Sequence, residues 1–289
     1  MFEIQARCPD PQGAFRRFHG RLAQFRPIAN MQHYWKEHWE DPKRRQKLIP
    51  QGETGDLGEY KPLLDKYVSK DLPVLEAGCG LGQMVHALTL NGYETIGIDY
   101  EPETIKFVRG RFPNLDARLG NIKKLEFPDN SFGCYLSLGV MEHFEIAPED
   151  AMREACRVLH PQGVGLISVP YLNPSRSASL RALNGNVHHQ GNGEAGKNEN
   201  LEFYQYYYSY EEFTALLANA GFRVVDYRPL FVDGMLTCEH PVFQWYWRSP
   251  FCRCRMKAPI RRYLRAGPKW LRRRYAHMLM YVCKPAEKP

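Results

Sequence analysis

Pro73-Val74-Leu75-Glu76-Ala77-Gly78-Cys79-Gly80-Leu81-Gly82 decides the reading of this chain. A short apolar run ends in a carboxylate and opens at once into three glycines at alternate positions. Such a run, bounded by Pro and Gly, reads as a buried strand of a parallel sheet. Gln83-Met84-Val85-His86-Ala87-Leu88-Thr89-Leu90, closed by Asn91-Gly92, reads as the following helix with its stop signal. Glycines at a strand-to-helix turn let the backbone come close to a ligand and leave the helix N-terminus facing it. A dinucleotide site uses Gly-x-Gly-x-x-Gly, because a pyrophosphate must sit on that terminus. Here the spacing is Gly-x-Gly-x-Gly and Gln83 follows, which favours a ligand with a ribose and no pyrophosphate.

Working outward, Tyr93-Glu94-Thr95-Ile96-Gly97-Ile98-Asp99 is a second apolar strand ending in a carboxylate. It lies ~20 residues past the first glycine, where an acidic strand tip can hold two ribose hydroxyls. A carboxylate suits a vicinal diol, since it offers acceptors and no competing donor. Downstream come Gly120-Asn121-Ile122, Leu125 to Gly133, Ser137-Leu138-Gly139-Val140-Met141-Glu142-His143-Phe144, and Arg157-Val158-Leu159-His160-Pro161-Gln162-Gly163. In this order and spacing the blocks resemble class I S-adenosylmethionine (SAM) methyltransferases of the type 11 kind, over roughly residues 70 to 230. A Rossmann-like domain binding something else is the competing reading.

The resemblance implies an α/β fold: a Rossmann-like, doubly wound, seven-stranded sheet whose last strand is antiparallel, with a helical N-terminal lid and an insertion before that strand. Strands are expected near 73–77, 94–99, 116–119, 132–138 and 163–169, and helices near 83–91, 101–111 and 148–159. Ser209 to Ala220 follows as a helix, then the strand Phe222 to Tyr227, and His277 to Cys283 as the antiparallel one. The division is an arm or lid over 1–60 and a methyltransferase domain over 61–289, with the insertion at 231–275. The implied cofactor is SAM, leaving as S-adenosylhomocysteine.

Residue roles follow from the resemblance. Glu76 accepts a hydrogen bond from the cofactor's ammonium. Gly78, Gly80 and Gly82 allow close backbone approach, with Cys79 a small packed residue between them. Asp99 holds the ribose and Tyr100 lies against the adenine face. Asn121 and Ile122 read the adenine edge; many members have Asp at the first of these, and Asn keeps an acceptor while adding a donor. Leu138, with Gly139, borders the methionine part.

Methyl transfer from a sulfonium is an in-line displacement, so alignment can supply most of the rate, and a hydroxyl nucleophile gains further from a base such as His. His143 is one candidate; its bland alternative is a structural Glu-His pair. His188 and His189 are the other, in the glycine-rich loop Asn184 to Gly193, which can bind substrate or act as base. No metal site is expected, since no further ligand stands near them and Cys252-x-Cys254 has no matching pair.

Length and composition set the bounds. A chain of 289 residues with a 44% hydrophobic fraction suits one large α/β domain with additions. It has no apolar run long enough to span a membrane and no signal-peptide core between Met1 and Arg17. Its eight cysteines suit a reducing compartment. The expectation is a cytoplasmic protein, at most peripheral to a membrane. The net charge of +7 is local: eleven Lys and Arg and no acid lie between Arg248 and Arg274, so the remainder carries −4. With Trp245-Tyr246-Trp247 before it, this basic run is a solvated face, a contact with anionic membrane, or less readily a nucleic-acid patch.

Residues 1–30 read as an irregular arm and 41–58 as a polar connection; Tyr60 to Val68 reads as a helix. Met31 to Trp39 concentrates His33, Tyr34, Trp35, His38 and Trp39, which either cover the ligand or pack the arm onto the core. Glu202 to Tyr210 stacks phenols that suit a substrate wall. Two functions of different class remain. One is an O-directed methyltransferase acting on a small molecule, a glycan or a lipid-linked acceptor. The other is a SAM-binding module with lapsed catalysis, tethered by its basic insertion to membrane or RNA.

Overall fold

The computed structural model describes residues 14–27, 31–146, 148–183, 201–232 and 267–286. Its centre is a seven-stranded sheet built from β3 (Val74–Ala77), β4 (Thr95–Asp99), β5 (Asp116–Leu119), β6 (Phe132–Leu138), β7 (Leu159–Pro170), β9 (Phe222–Leu230) and β10 (Met278–Pro285). The order is β5-β4-β3-β6-β7-β10-β9. From β5 to β7 all pairs are parallel, and β10 is antiparallel to both β7 and β9. The inner parallel strands β3, β4 and β6 are largely apolar and buried because helices cover both faces, while the edge strand β5 exposes Asp116, Arg118 and Leu119. Chain order reverses at β3, which pairs with β4 on one side and β6 on the other. That switch point opens a crevice beyond the strand tips, where Glu76, Asp99 and Leu138 end their strands.

Local sequence explains the connecting helices. Helix α4 (Gln83–Leu90) starts directly from the glycine turn and buries Met84, Val85, Ala87 and Leu88. Helix α5 (Pro102–Arg111) has Pro in its first turn and Glu101 as N-cap. Helix α6 (Pro148–Val158) buries Ala151, Met152, Ala155 and Val158, a stripe at helical spacing. Helix α8 (Tyr210–Asn219) is started by a capping box in which Ser209 and Glu212 exchange bonds of 3.1 and 2.8 Å. Phe213 of α8 then packs between Tyr208 and Tyr281.

The N-terminal region departs from the expected irregular arm. Strands β1 (Ala14–Phe18) and β2 (Arg21–Arg26) form a hairpin whose turn residues, His19 and Gly20, both have positive φ, 48° and 77°. The third strand of this small antiparallel sheet is β8 (Glu202–Tyr207), the phenol-rich run, which pairs with β2. Residues 41–58 are likewise not a plain connection. Helix α2 (Pro42–Glu53) follows α1 (Met31–Glu40) and is begun by Asp41, whose carboxylate accepts from the Lys43 N–H at 3.0 Å, with Pro42 at the first position. The described part of residues 1–60 is therefore a hairpin and two helices rather than helices alone. Helix α3 (Lys61–Tyr67) lies where a helix was expected.

Helix α7 (Pro174–Leu183) follows β7, and α9 (Lys269–Tyr275) precedes β10. His188, His189 and residues 233–266 lie outside the described residues, so of the basic run 248–274 only 267–274 is described. Among the described residues no helix is long and apolar enough to cross a membrane.

Candidate active site

The glycine turn is fixed before any ligand is considered. The N–H groups of Gly78 and Cys79 both donate to the Ile98 carbonyl at 2.8 and 2.9 Å, tying the turn to the end of β4. Gly78, Gly80 and Gly82 all have positive φ, of 82°, 51° and 70°. At two of them the neighbours leave no room for a side chain. A Cβ on Gly78 would lie 2.5 Å from Val140, and one on Gly80 would lie 2.7 Å from the Trp39 ring. The glycines thus let β6 and helix α1 close onto the turn as well as opening the way to a ligand.

A cavity of about 1070 Å³ lies over the strand tips. It is at the upper end of what a single small-molecule ligand fills, so two ligands can lie side by side. Glu76, Gly78, Cys79, Asp99 and Tyr100 line it from β3 and β4; Asn121, Ile122, Leu138 and His143 line it from the next strands. Gly80 and Gly82 shape the turn from behind and do not line it. Cys79 is buried, and burial pushes its thiol well up, which keeps it protonated and inert.

Two carboxylates stand at one end. Asp99 Oδ2 accepts from the Gly80 N–H at 2.9 Å and Oδ1 from the Glu101 N–H at 3.1 Å, which aims the group and leaves a lone pair on each oxygen. Burial raises its pKa, against the pull of these backbone donors. Glu76 is 2% exposed, and its Oε2 has no hydrogen-bond partner. Burial pushes its carboxyl well above the usual range, with a backbone N–H from Val85 pulling the other way. A buried oxygen facing a cavity without a donor is costly in the free protein and is made good by a cationic ligand group.

Asn121 is exposed, and its Oδ1 accepts from the Lys123 N–H at 2.9 Å, so its own turn uses that oxygen. Its segment is clamped from behind by α6. Arg157 donates to the carbonyls of Leu125 and Phe127 and to Glu154 and Asp129, all at 3.0 Å or less. Glu154 in turn accepts from the Leu125 N–H at 2.7 Å. The helical spacing of Glu154 and Arg157 was readable in the sequence; their grip on residues 125–129 was not.

Helix α1 lines one side of the cavity. Trp39 rests on the glycine turn, Trp35 meets the His143 ring edge-on at 4.7 Å, and the Tyr34 and Tyr204 hydroxyls are 3.4 Å apart. Tyr34, Trp35, His38 and Trp39 line the cavity and also pack, Tyr34 against Tyr204 and Trp35 against His143. His143 Nδ1 donates to the Tyr204 carbonyl at 2.7 Å, since a carbonyl can only accept, and this fixes Nε2 as the unprotonated nitrogen. Nε2 is 4.0 Å from Glu142 Oε1. Burial holds the His143 pKa down to about 4 and pushes Glu142 up to about 8, so both are neutral at pH 7. Arg26, Arg44 and Lys47 also line the cavity. No signal in the sequence marked Arg26, because its place depends on the hairpin meeting β8.

Known proteins agree with this geometry. A family model described as a methyltransferase domain matches residues 75–167, from the first strand of the sheet into β7. The match takes in the glycine turn and both carboxylate-bearing strand tips and covers about a third of the chain. A probable S-adenosylmethionine-dependent methyltransferase of Mycolicibacterium smegmatis is 33% identical to it over 170 residues, 58% of this chain and 57% of that protein. A methyltransferase of Bacillus subtilis is 28% identical over 63% of this chain and 73% of its own. The chain thus spans little more than half the length of the first of these relatives. Among solved structures, a chain of the complex between the Haloferax volcanii Trm112 methyltransferase activator and a methyltransferase superposes with a TM-score of 0.58 at 15% identity, covering 90% of this chain and 99% of that one. A Pyrococcus horikoshii protein gives 0.55 at 17%, covering 86% and 98%. At such identities the likeness is one of fold. The matched residues include the glycine turn and the strand tips, and leave α1, α2 and the three-stranded sheet outside.

Proposed function

We propose that this protein transfers the methyl group of SAM to an oxygen of a small-molecule, glycan or lipid-linked acceptor. The observation that carries the reading is Glu76: a buried carboxylate oxygen with no donor, on the wall of a cavity whose neighbouring strand tip presents Asp99. The residues present fit SAM. Glu76 meets its ammonium and Asp99 its ribose diol; Tyr100, 48% exposed at the rim, has a free face for the adenine, with Ile122 and the Nδ2 of Asn121 beside it. Leu138 borders the methionine part. When bound, SAM supplies an electrophilic methyl group on a sulfonium.

The chain's own residues supply position and a proton acceptor. Helix α1 and β8 hold the His143 ring between Trp35 and Tyr204, at 4.7 and 5.0 Å. With Nδ1–H held by a carbonyl, His143 presents the Nε2 lone pair to a hydroxyl proton. Its low basicity makes it a modest contributor, so alignment carries most of the rate. No described residue of the basic run bears on the cavity, and the membrane contact stays a separate proposal. Salt-sensitive binding to anionic vesicles, lost when the arginines of 253–274 become Gln, is its test; equal binding by the variant refutes it.

Calorimetry with S-adenosylhomocysteine tests the cofactor reading. Asp99→Ala removes a charged acceptor worth about 1.5–3 kcal/mol, or roughly ten- to a hundredfold in affinity. Unchanged affinity refutes the ribose assignment. Screening cell extract with methyl-labelled SAM then finds the acceptor. A labelled product that survives His143→Ala and disappears when His188 and His189 are replaced moves the base to that loop; no labelled product with intact cofactor binding favours the lapsed module.

A further inference from the structure

Arg26 ends β2 with 9% of its surface exposed. Its guanidinium lies 3.8 Å from the centroid of the Tyr204 ring and lines the cavity. Among the described residues no carboxylate comes within ion-pair distance of it, and its buried Nε has no hydrogen-bond partner. Its cross-strand partner Glu202 is an exposed residue and makes no ion pair with it. Taking a guanidinium out of water is costly, and the face of one phenol returns only part of that cost. The planar fork is made for an oxyanion, which it meets with two parallel N–H bonds.

We propose that Arg26 anchors a carboxylate or phosphate group on the methyl acceptor, so that the enzyme selects anionic substrates. This rests on the methyl-transfer reading and names the substrate class for it. Three observations place the anion on the acceptor rather than on the cofactor. Arg26 belongs to the small β1-β2-β8 sheet, outside the matched methyltransferase domain. It stands beside His143, where its charge adds to burial in holding that ring down to about 4. The glycine turn has another cation nearby, Arg44 of α2, 6.0 Å from the Trp39 ring that covers Gly80. Nor does Glu142, the acid next to His143, answer Arg26, since burial keeps it in its neutral form at pH 7. An acceptor gripped by Arg26 is held next to the Nε2 lone pair.

The test uses the full chain saturated with S-adenosylhomocysteine and titrated calorimetrically with benzoate, phenyl phosphate and benzamide, flat probes suited to the Tyr34, Trp35 and Tyr204 rings. One of the two anions is expected to bind at least tenfold more tightly than neutral benzamide, and which one binds better assigns carboxylate or phosphate. Arg26→Gln should abolish the preference, and Arg26→Lys should keep part of it. Both variants should bind S-adenosylhomocysteine within twofold of wild type, which also reports that they are folded. Equal binding of all three probes, no binding of either anion, or an undiminished preference in Arg26→Gln overturns the proposal. Loss of S-adenosylhomocysteine affinity in Arg26→Gln alone overturns it too, by assigning Arg26 to the cofactor. If wild type itself fails to bind S-adenosylhomocysteine, the methyl-transfer reading falls, and titration of the free protein then decides for or against Arg26 as an anion site.

Discussion

Gly80 lies against Trp39 of helix α1, and replacing it with alanine measures that contact. The residue sits at φ 51°, and an added Cβ would lie 2.7 and 2.8 Å from two atoms of the Trp39 ring, well inside the ~3.5–4.0 Å of an ordinary carbon contact. Two penalties follow. An L-residue in the left-handed region costs about 1–2 kcal/mol, and overpacking a tight contact costs about 1–3 kcal/mol. Gly80→Ala should therefore lose about 2–5 kcal/mol. Only the second penalty needs the indole. In a Trp39→Leu background the same substitution should cost just the backbone part, about 1–2 kcal/mol. The assay is a double-mutant cycle in urea, comparing midpoints and slopes of the four proteins. Equal losses in the two backgrounds would refute the contact, and with it the docking of α1 on the turn.

Two further outcomes concern stability. Glu142 keeps its proton up to about pH 8 in the folded state, whereas the unfolded chain releases it near the ordinary 4.5. Its contribution is complete below pH 4.5 and is lost as pH rises through about 8, at most about 5 kcal/mol at ~1.4 kcal/mol per pH unit. Glu142→Gln should flatten that decline in urea midpoints taken at pH 5 and pH 8; parallel profiles for the two proteins would contradict it. Ser209→Ala removes the capping box that starts α8 and should lower stability by about 1 kcal/mol, with the slope unchanged. A loss below a few tenths would mean that packing of Phe213 alone sets the helix.

Most of the sheet was legible because its punctuation is local. Pro73, Asn91-Gly92, Pro102 and Pro148 bracket apolar runs, and the strands at 116–119 and 132–138 fall where those runs lie. The hairpin was not legible, because β2 earns its place by pairing with a strand far away in the chain, and no spacing within residues 1–30 reveals that partner. His19-Gly20 carried the turn signal, but flanking Arg and Phe obscured the alternation. Helix α2 was hidden for another reason: its Lys- and Arg-rich sequence contains Pro50 and Gly52, which read as breakers, while Asp41 and burial of Leu48 hold it helical. At the cavity, which both residues line, Asp99 was marked by its spacing and Glu76 by the family resemblance. Arg26 and the Tyr204 carbonyl that orients His143 depend on β8 and were out of reach.

The pairing of β2 with β8 also sets an order of assembly. Leu22 and Tyr207 are register partners, so during synthesis the hairpin waits on roughly 180 further residues, about 10–40 s at ~5–20 residues per second. An isolated two-stranded hairpin is marginal in water, and Phe25, buried in the finished protein, has no third strand to lie under during that interval. The glycine turn and the strands that hold Glu76 and Asp99 are all made well before β8. A nascent chain therefore holds its glycine turn and both carboxylates well before β2 meets its third strand, and the large sheet is closed later still, by β9 and β10.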